Sequence, residues 1–184
     1  MSSIDYRLHH GDCLDILPTL AAGSVDAIIA DPPYGTTACK WDSIIPLADL
    51  WKVWERVIKP TTPIVLTCAQ PFTTVLAASK IDWLRYEWIW EKPQGTNPLN
   101  AKVMPLRAHE NILVFYKKRG VYNPQMSVGK PIPGFSSDNA TIGEVYGNMK
   151  SVHKENPGTR YPRSVLRFAQ ERKGDHPTQK PVPL

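Results

Sequence analysis

The short run Val25–Ala30 (VDAIIA) ends directly in Asp31-Pro32-Pro33-Tyr34-Gly35, and this junction constrains the fold more than any other part of the chain. A compact apolar run bounded by turn residues reads as a buried parallel strand. Two successive prolines fix φ and remove two backbone donors, so the strand cannot continue past Ala30. In open α/β sheets, ligands bind just outside the carboxyl ends of such strands, which is where Asp31 would stand. The flanking pattern agrees. Tyr6–His9 reads as a short strand, and Cys13–Leu20 reads as a helix with Asp12 as N-cap and Gly23 as its stop. Pro46–Lys59 repeats apolar residues at Leu47, Leu50, Trp51, Trp54, Val57 and Ile58, which predicts an amphipathic helix opened by proline. Pro63–Cys68 reads as a second buried strand, Pro71–Ser79 as a helix, and Glu87–Trp90 and His109–Lys118 as further strands. Such alternation predicts an α/β layer with a mostly parallel sheet.

The chain's 184 residues, 42% hydrophobic, suit one globular domain rather than two. No apolar stretch approaches the roughly 18 to 20 residues that span a bilayer, and the N-terminus lacks a signal peptide's apolar region, so the expected localisation is cytoplasmic. Cys13, Cys39 and Cys68 are odd in number and lack CxxC spacing, so buried reduced thiols are expected rather than disulfides or zinc. The sequence His109-Glu110-Asn111 is not HExxH, and no metal site is expected. The net charge of +5 is regional. Residues 1–100 carry 8 Lys and Arg against 11 Asp and Glu, whereas residues 101–184 carry 14 against 6. A basic second half beside an acidic first half suits either an enzyme of nucleic acid or an ordinary basic surface.

Asp31-Pro32-Pro33-Tyr34 carries a specific chemistry. The exocyclic amine of a nucleobase is conjugated into its ring and is a poor nucleophile. A carboxylate at Asp31 and a proline carbonyl at Pro32 could hold its two hydrogens and aim its lone pair at an electrophile. Tyr34 offers a face for the base, which must leave the duplex to reach such a pocket. The same tetrapeptide could equally be a rigid turn that caps a strand.

In order along the chain, Gly11-Asp12-Cys13-Leu14, VDAIIADPPYG, PIVLTCAQPF, YEWIWEKPQGTN, RAHENILVFYK, YPRSVLRF and HPTQKPVPL resemble the site-specific DNA amino-methyltransferases of restriction-modification systems. The arrangement is the circularly permuted one, in which the catalytic tetrapeptide precedes the cofactor loop. The resemblance implies a Rossmann-like sheet with helices on both faces, S-adenosyl-L-methionine as cofactor and double-stranded DNA as partner. It implies catalytic roles for Asp31, Pro32, Pro33 and Tyr34. Asp12, Cys13 and Asp31 would serve the cofactor, with Asp12 accepting from its adenine amine, and Thr178, Gln179 and Lys180 would meet its methionine carboxylate. Asp12 as a simple helix N-cap and Lys180 as a solvated lysine stay open. Members with Asp at the head of the tetrapeptide usually methylate adenine N6, and those with Ser usually methylate cytosine N4; Asp31 favours adenine. Lys92 and Asn97 would lie beside the target base, while Trp88 and Trp90 pack on one face of a strand.

Three segments are expected: a catalytic α/β core over 1–119, a loop-rich target-recognition segment over 120–162, and a return to the core over 163–184 that begins the cofactor-binding region. Lys117, Lys118, Arg119, Lys130, Arg160 and Arg163, interleaved with aromatic residues, suit phosphate contact and base stacking. The family pattern continues past HPTQKPVPL with a Gly-rich cofactor loop after a buried strand, and this sequence carries no such loop, so the sheet is expected to be incomplete at its C-terminal cofactor-binding part. That leaves a homodimer or a complementing C-terminal chain as candidate partners. A catalytically silent DNA-binding or dimerising remnant is the alternative function, and cytosine-N4 methylation the alternative chemistry.

Overall fold

The computed structural model describes residues 5–37, 39–134, 141–142, 149–150, 155–169 and 180–181. The chain divides into two compact units, residues 1–121 with 164–184, and residues 122–163. The first unit holds helices α1 (Cys13–Ile16), α2 (Leu47–Val57) and α3 (Phe72–Ser79) and strands β1 (Ile28–Ala30), β2 (Ile64–Cys68), β3 (Leu84–Thr96), β4 (Arg107–Phe115) and β9 (Val165–Arg167). The second holds two short ladders, β5 (Ser127–Val128) with β8 (Thr159–Arg160) and β6 (Thr141–Ile142) with β7 (Met149–Lys150).

The five strands of the first unit form one sheet in the order β1-β2-β4-β3-β9. β1 pairs parallel with β2 and β3 with β9, while β4 pairs antiparallel with both β2 and β3. Four strands therefore run one way and β4 alone runs against them. The reversal places the amino end of β4 beside the carboxyl ends of β1, β2 and β3. Direct return from β3 to β4 needs no crossover helix, because antiparallel neighbours join through a loop. β3 is longer than its apolar pattern predicts: its pairing with β4 is irregular between Glu91 and Thr96 and resumes where Thr96 faces Arg107.

α2 forms where its sequence period demands it. Leu50 N–H donates to the Pro46 carbonyl, Asp49 lies in the first turn and Arg56 in the last, and both charges suit the helix dipole. Leu50, Trp51, Trp54 and Val57 share the buried face. They meet Ile64, Leu66 and Cys68 of β2, Phe72 and Leu76 of α3, and Leu113 and Phe115 of β4 in one cluster. Trp51 is its hub. Its ring meets Trp54 and Phe115 edge-on at 5.1 Å each and Trp83 at 6.3 Å, while Nε1 donates to Ser79 Oγ at 2.8 Å. α1 also borders this cluster through Cys13 and Leu14. All three described helices therefore serve one core, and the second helical layer expected from the resemblance is not among the described residues.

Three other expectations are corrected. The apolar run before the tetrapeptide is not a buried strand: only Ile28–Ala30 is extended, and because it forms the edge of the described sheet Ile29 is 82% exposed. Tyr6–His9 forms no strand; it finds no partner edge, and Tyr6 and Leu8 are left exposed. Of the three free cysteines only Cys68 is buried, and Cys39 is exposed because it lies in the turn after the tetrapeptide. No described helix is long and apolar enough to cross a membrane.

That turn is locked by a buried carboxylate. Gly35, Thr36 and Thr37 donate their backbone N–H groups to Asp42 at 2.8, 2.9 and 2.7 Å. Gly35 has φ +66°, a left-handed conformation that a side chain would strain, and a Cβ there would press on Ile44 at 3.0 Å. Burial alone would raise the Asp42 pKa; hydrogen bonds from Thr37, Gly35 and Thr36 outweigh it and hold the carboxyl at about 2.

Two stability predictions follow from these contacts. Trp51→Ala removes the hub and should cost about 3–5 kcal/mol in urea denaturation, whereas a loss below about 1 kcal/mol would contradict its central role. Asp42→Asn removes a charge-assisted acceptor and should cost about 1.5–3 kcal/mol at neutral pH. Because the folded pKa lies below the unfolded value, the carboxylate's contribution is complete above the ordinary Asp pKa and disappears as pH falls toward about 2. Thermal melts should therefore show the gap between wild type and Asp42→Asn closing over that acidic window.

Candidate active site

The carboxyl ends of the parallel strands and the reversed β4 enclose a cavity of about 300 Å³. Its walls include the tetrapeptide Asp31–Tyr34, the Asp42-held turn, Trp41, Ala69 just past β2, Arg107 and Glu110 of β4, and Lys180. The volume is at the small end of ligand sites.

Asp31 is positioned by the β1–β2 register. Ala30 pairs with Leu66, so the next residue of each strand brings Asp31 beside Thr67. Thr67 Oγ1 and Tyr34 Oη both donate to Asp31 Oδ1, at 2.5 and 2.9 Å, and Lys180 Nζ donates to Oδ2 at 2.5 Å. A carboxylate offers about four lone-pair sites. Two donors occupy Oδ1 and one occupies Oδ2, leaving one acceptor position on an oxygen whose side chain is 51% exposed. Tyr34 is neutral: burial pushes its phenol pKa far up, and the charges of Asp31 and Glu110 reinforce this against a hydrogen bond from Thr67. Its ring stacks on Phe72 at 5.7 Å with 19° between planes, and the Lys180 ammonium lies 5.3 Å from the ring centre.

Behind Tyr34 lies a buried ion pair. Lys92 Nζ donates to Glu110 Oε1 at 2.5 Å, with 8% and 14% of the side chains exposed. Glu110 Oε2 faces Tyr34 Oη at 3.5 Å and Lys180 Nζ at 3.7 Å. Two carboxylates and two ammonium groups thus alternate around Tyr34, and each charge has an opposite neighbour, as burial requires. Glu110, Thr67, Asp42 and Trp41 were not singled out as site residues from sequence. The one available signal was a charged Glu110 and a polar Thr67 inside otherwise apolar strand runs.

The expected site residues separate into three groups. Asp31, Pro32, Pro33, Tyr34 and Lys180 come together. Lys92 lies next to them, with its ammonium committed to Glu110. Trp90, by contrast, packs as expected, 3% exposed with Nε1 donating to the Phe168 carbonyl at 3.0 Å, and Trp88 meets Tyr86 edge-on at 5.2 Å. Asn97 follows β3 in a left-handed conformation, φ 70°, and accepts from Asn100 Nδ2 at 2.9 Å.

Lys117, Lys118 and Arg119 follow the carboxyl end of β4. Since β4 runs against its neighbours, they lie at the edge opposite Asp31, where Lys117 covers Trp83 and Lys118 N–H donates to the Pro60 carbonyl at 2.8 Å. Asp12 is the N-cap of α1, accepting from Leu14 N–H at 2.8 Å, and does not end a strand. Cys13, in the first turn of α1, has its thiol pKa raised by burial and by the Asp12 charge. In the second unit, Arg160 is a structural tie: its guanidinium donates to the Lys130 carbonyl and to Asn156 Oδ1 at 3.0 Å. Arg163 ends that unit and is exposed. Thr178 and Gln179 lie outside the described residues. Among the described residues, no group of His, Cys, Asp and Glu is arranged to hold a metal ion.

The fold is that of solved DNA methyltransferases. The chain is similar to the structure titled PvuII DNA methyltransferase (cytosine-N4-specific), with TM-score 0.55 and 14% identity over 89% of this chain and 57% of that one. It is also similar to the structure titled M1.HpyAVI–SAM complex, with TM-score 0.53 and 18% identity over 95% of this chain and 71% of that one. The chain thus spans a little over half the length of the PvuII enzyme. At these identities the likeness speaks for the fold. The family model for N6/N4 DNA methylases matches residues 25–184, from the approach to β1 through the tetrapeptide to the last residue. The chain belongs to the N6/N4 DNA methylase family.

Proposed function

We propose that the chain carries the catalytic part of a site-specific DNA methyltransferase that moves a methyl group from S-adenosyl-L-methionine to the exocyclic N6 amine of an adenine extruded from double-stranded DNA. The observation that carries this reading is the state of Asp31: ionisable, half exposed at the carboxyl end of β1, held by three donors, and left with one acceptor position toward the cavity. That position suits one hydrogen of an incoming amine. The rigid Pro32 carbonyl is the acceptor for the second. Both contacts turn the nitrogen lone pair away from the loop and toward an electrophile. Catalysis is then positioning and electrostatics.

The residues present fit the cofactor's charged end. Lys180 and Arg107 line the cavity and offer cations to the cofactor's carboxylate. When bound, S-adenosylmethionine supplies an electrophilic methyl group on sulfur. Asp31 orients the amine and, as the nitrogen–carbon bond forms, lies on the hydrogen bond along which the nitrogen sheds its extra proton. Lys180 holds Oδ2 of Asp31 in place for this task. Tyr34, neutral and anchored to Phe72, fixes the loop's position rather than exchanging a proton. Asp at the head of the tetrapeptide favours adenine, and DNA as substrate sets the work in the cytoplasm.

Incubating the chain with DNA and methyl-labelled S-adenosylmethionine, followed by nucleoside digestion, tests the proposal. Label is expected in N6-methyladenine, and Asp31→Ala should lower the rate by at least about 10²-fold, the scale of losing a pre-organised hydrogen-bonding group. Undiminished transfer by Asp31→Ala would remove Asp31 from catalysis. Label in N4-methylcytosine would reassign the substrate. DNA binding without transfer would favour the catalytically silent reading.

A further inference from the structure

Residues 97–106 join β3 to β4, and the register places this connection at the site. Thr96 faces Arg107, and Arg107 and Glu110 line the cavity that holds Asp31. Since the amino end of β4 lies beside the carboxyl ends of β1 and β2, the connection begins and ends at the cavity rim. A base that reaches Asp31 from a duplex has to pass this rim, which therefore lies against the nucleic acid.

The connection is an ordered projection. A Cβ on Gly95 would stand 2.6 Å from Leu106 Cβ, so the two arms approach more closely than side chains on both would allow. Asn97, at φ 70°, turns the chain out of β3. Asn100 N–H then donates to the Asn97 carbonyl at 3.2 Å, Ala101 N–H to that of Pro98 at 3.1 Å, and Val103 and Met104 N–H to that of Asn100 at 3.0 Å each. The side chains of Asn97 and Asn100 are joined at 2.9 Å. Against this framework the apolar side chains are turned to solvent: Leu99 is 96% exposed, Val103 78%, Met104 51% and Leu106 46%. Four exposed apolar side chains within eight residues are more than the single scatter normal on a surface. Lys102 stands exposed among them, and no Asp or Glu occurs from Asn97 to Arg107. A cationic loop with an apolar tip complements a duplex, whose backbone is anionic and whose base steps admit apolar side chains when they unstack.

We propose that Leu99, backed by Val103, is a wedge that enters the base stack of double-stranded DNA where the target base leaves it, while Lys102 meets an adjoining phosphate. A filled gap keeps the neighbouring base pairs from closing and so holds the base in the cavity for Asp31. The inference rests on the methyl-transfer reading above, because it assumes that a base leaves the duplex for this cavity.

Fluorescence anisotropy with two labelled duplexes of one sequence, one intact and one with a central abasic site, tests the wedge without turnover. The abasic duplex already contains the gap, so the wild-type chain should bind it about tenfold more tightly, the scale of burying one leucine side chain. Leu99→Ala should bring the two affinities within about twofold of each other with little change on the intact duplex, and Leu99→Phe should keep the preference. Lys102→Ala should weaken binding to both duplexes alike and reduce the salt slope by about one. No preference in wild type, a preference that survives in Leu99→Ala, or an equal loss on both duplexes in that variant would each overturn the proposal. So would a self-associated, DNA-free chain that Leu99→Ala converts to monomer in sedimentation, because the patch would then belong to a second copy. Label transfer by a chain with no preference for the abasic duplex would sink the wedge and leave methyl transfer standing. A Leu99-dependent preference in a chain that transfers no label would do the reverse.

Discussion

Parallel pairing of Ile28–Ala30 with Ile64–Leu66 is the constraint on which the site depends. The ladder sets the axial position of β1 against β2, and because side chains alternate along a strand, register also decides which face each residue meets. One consequence is that Asp31 arrives beside Thr67 and takes its hydroxyl hydrogen bond. A shift of one residue would turn Asp31 toward the apolar cluster of α2 and α3, where an unpaired carboxylate is not tolerated. The register is held by burial: Ile64 and Leu66 are fully buried against Trp51, Phe72 and their neighbours. The core and the site are thus linked through a single strand pair.

The second level is electrostatic. Asp31, Glu110, Lys92 and Lys180 put two negative and two positive charges around a neutral Tyr34. Buried ion pairs contribute little net stability, yet removing one partner leaves an uncompensated charge. This arrangement serves orientation more than stability: it fixes Asp31 between three donors, with one acceptor position open. The loop after Tyr34 obeys the same economy. Three amides that the turn leaves without backbone partners converge on Asp42, whose depressed pKa records how completely the turn is committed to that carboxylate.

Much of the fold was legible in the residues. The helical period of Leu50, Trp51, Trp54 and Val57, the apolar runs at β1 and β2, and the stop imposed by Pro32-Pro33 are local signals, and the elements stand where those signals put them. The position of Asp31 at the end of β1 was legible for the same reason, since two prolines stop the strand there, whereas its role was not, because the same tetrapeptide also reads as a rigid turn. What could not be read was the commitment of individual charges. Lys92 and the Lys117–Arg119 cluster look alike in sequence as available cations. β4 antiparallel to β3 buries the first against Glu110 and carries the second to the far edge of the sheet.

The sequence by itself therefore determined most of the element pattern and the place where β1 must end, because backbone stiffness and apolar periodicity act over a few neighbouring residues, and the order of its motifs along the chain carried the resemblance to the family. Only the tertiary structure decided that Asp31 is shared by Thr67, Tyr34 and Lys180, that Glu110 neutralises Lys92, and that Trp41 stands at the cavity while Tyr34 leans on Phe72. Those contacts join residues from 31 to 180, and which partner each side chain meets is fixed by strand order and register rather than by anything in its local sequence.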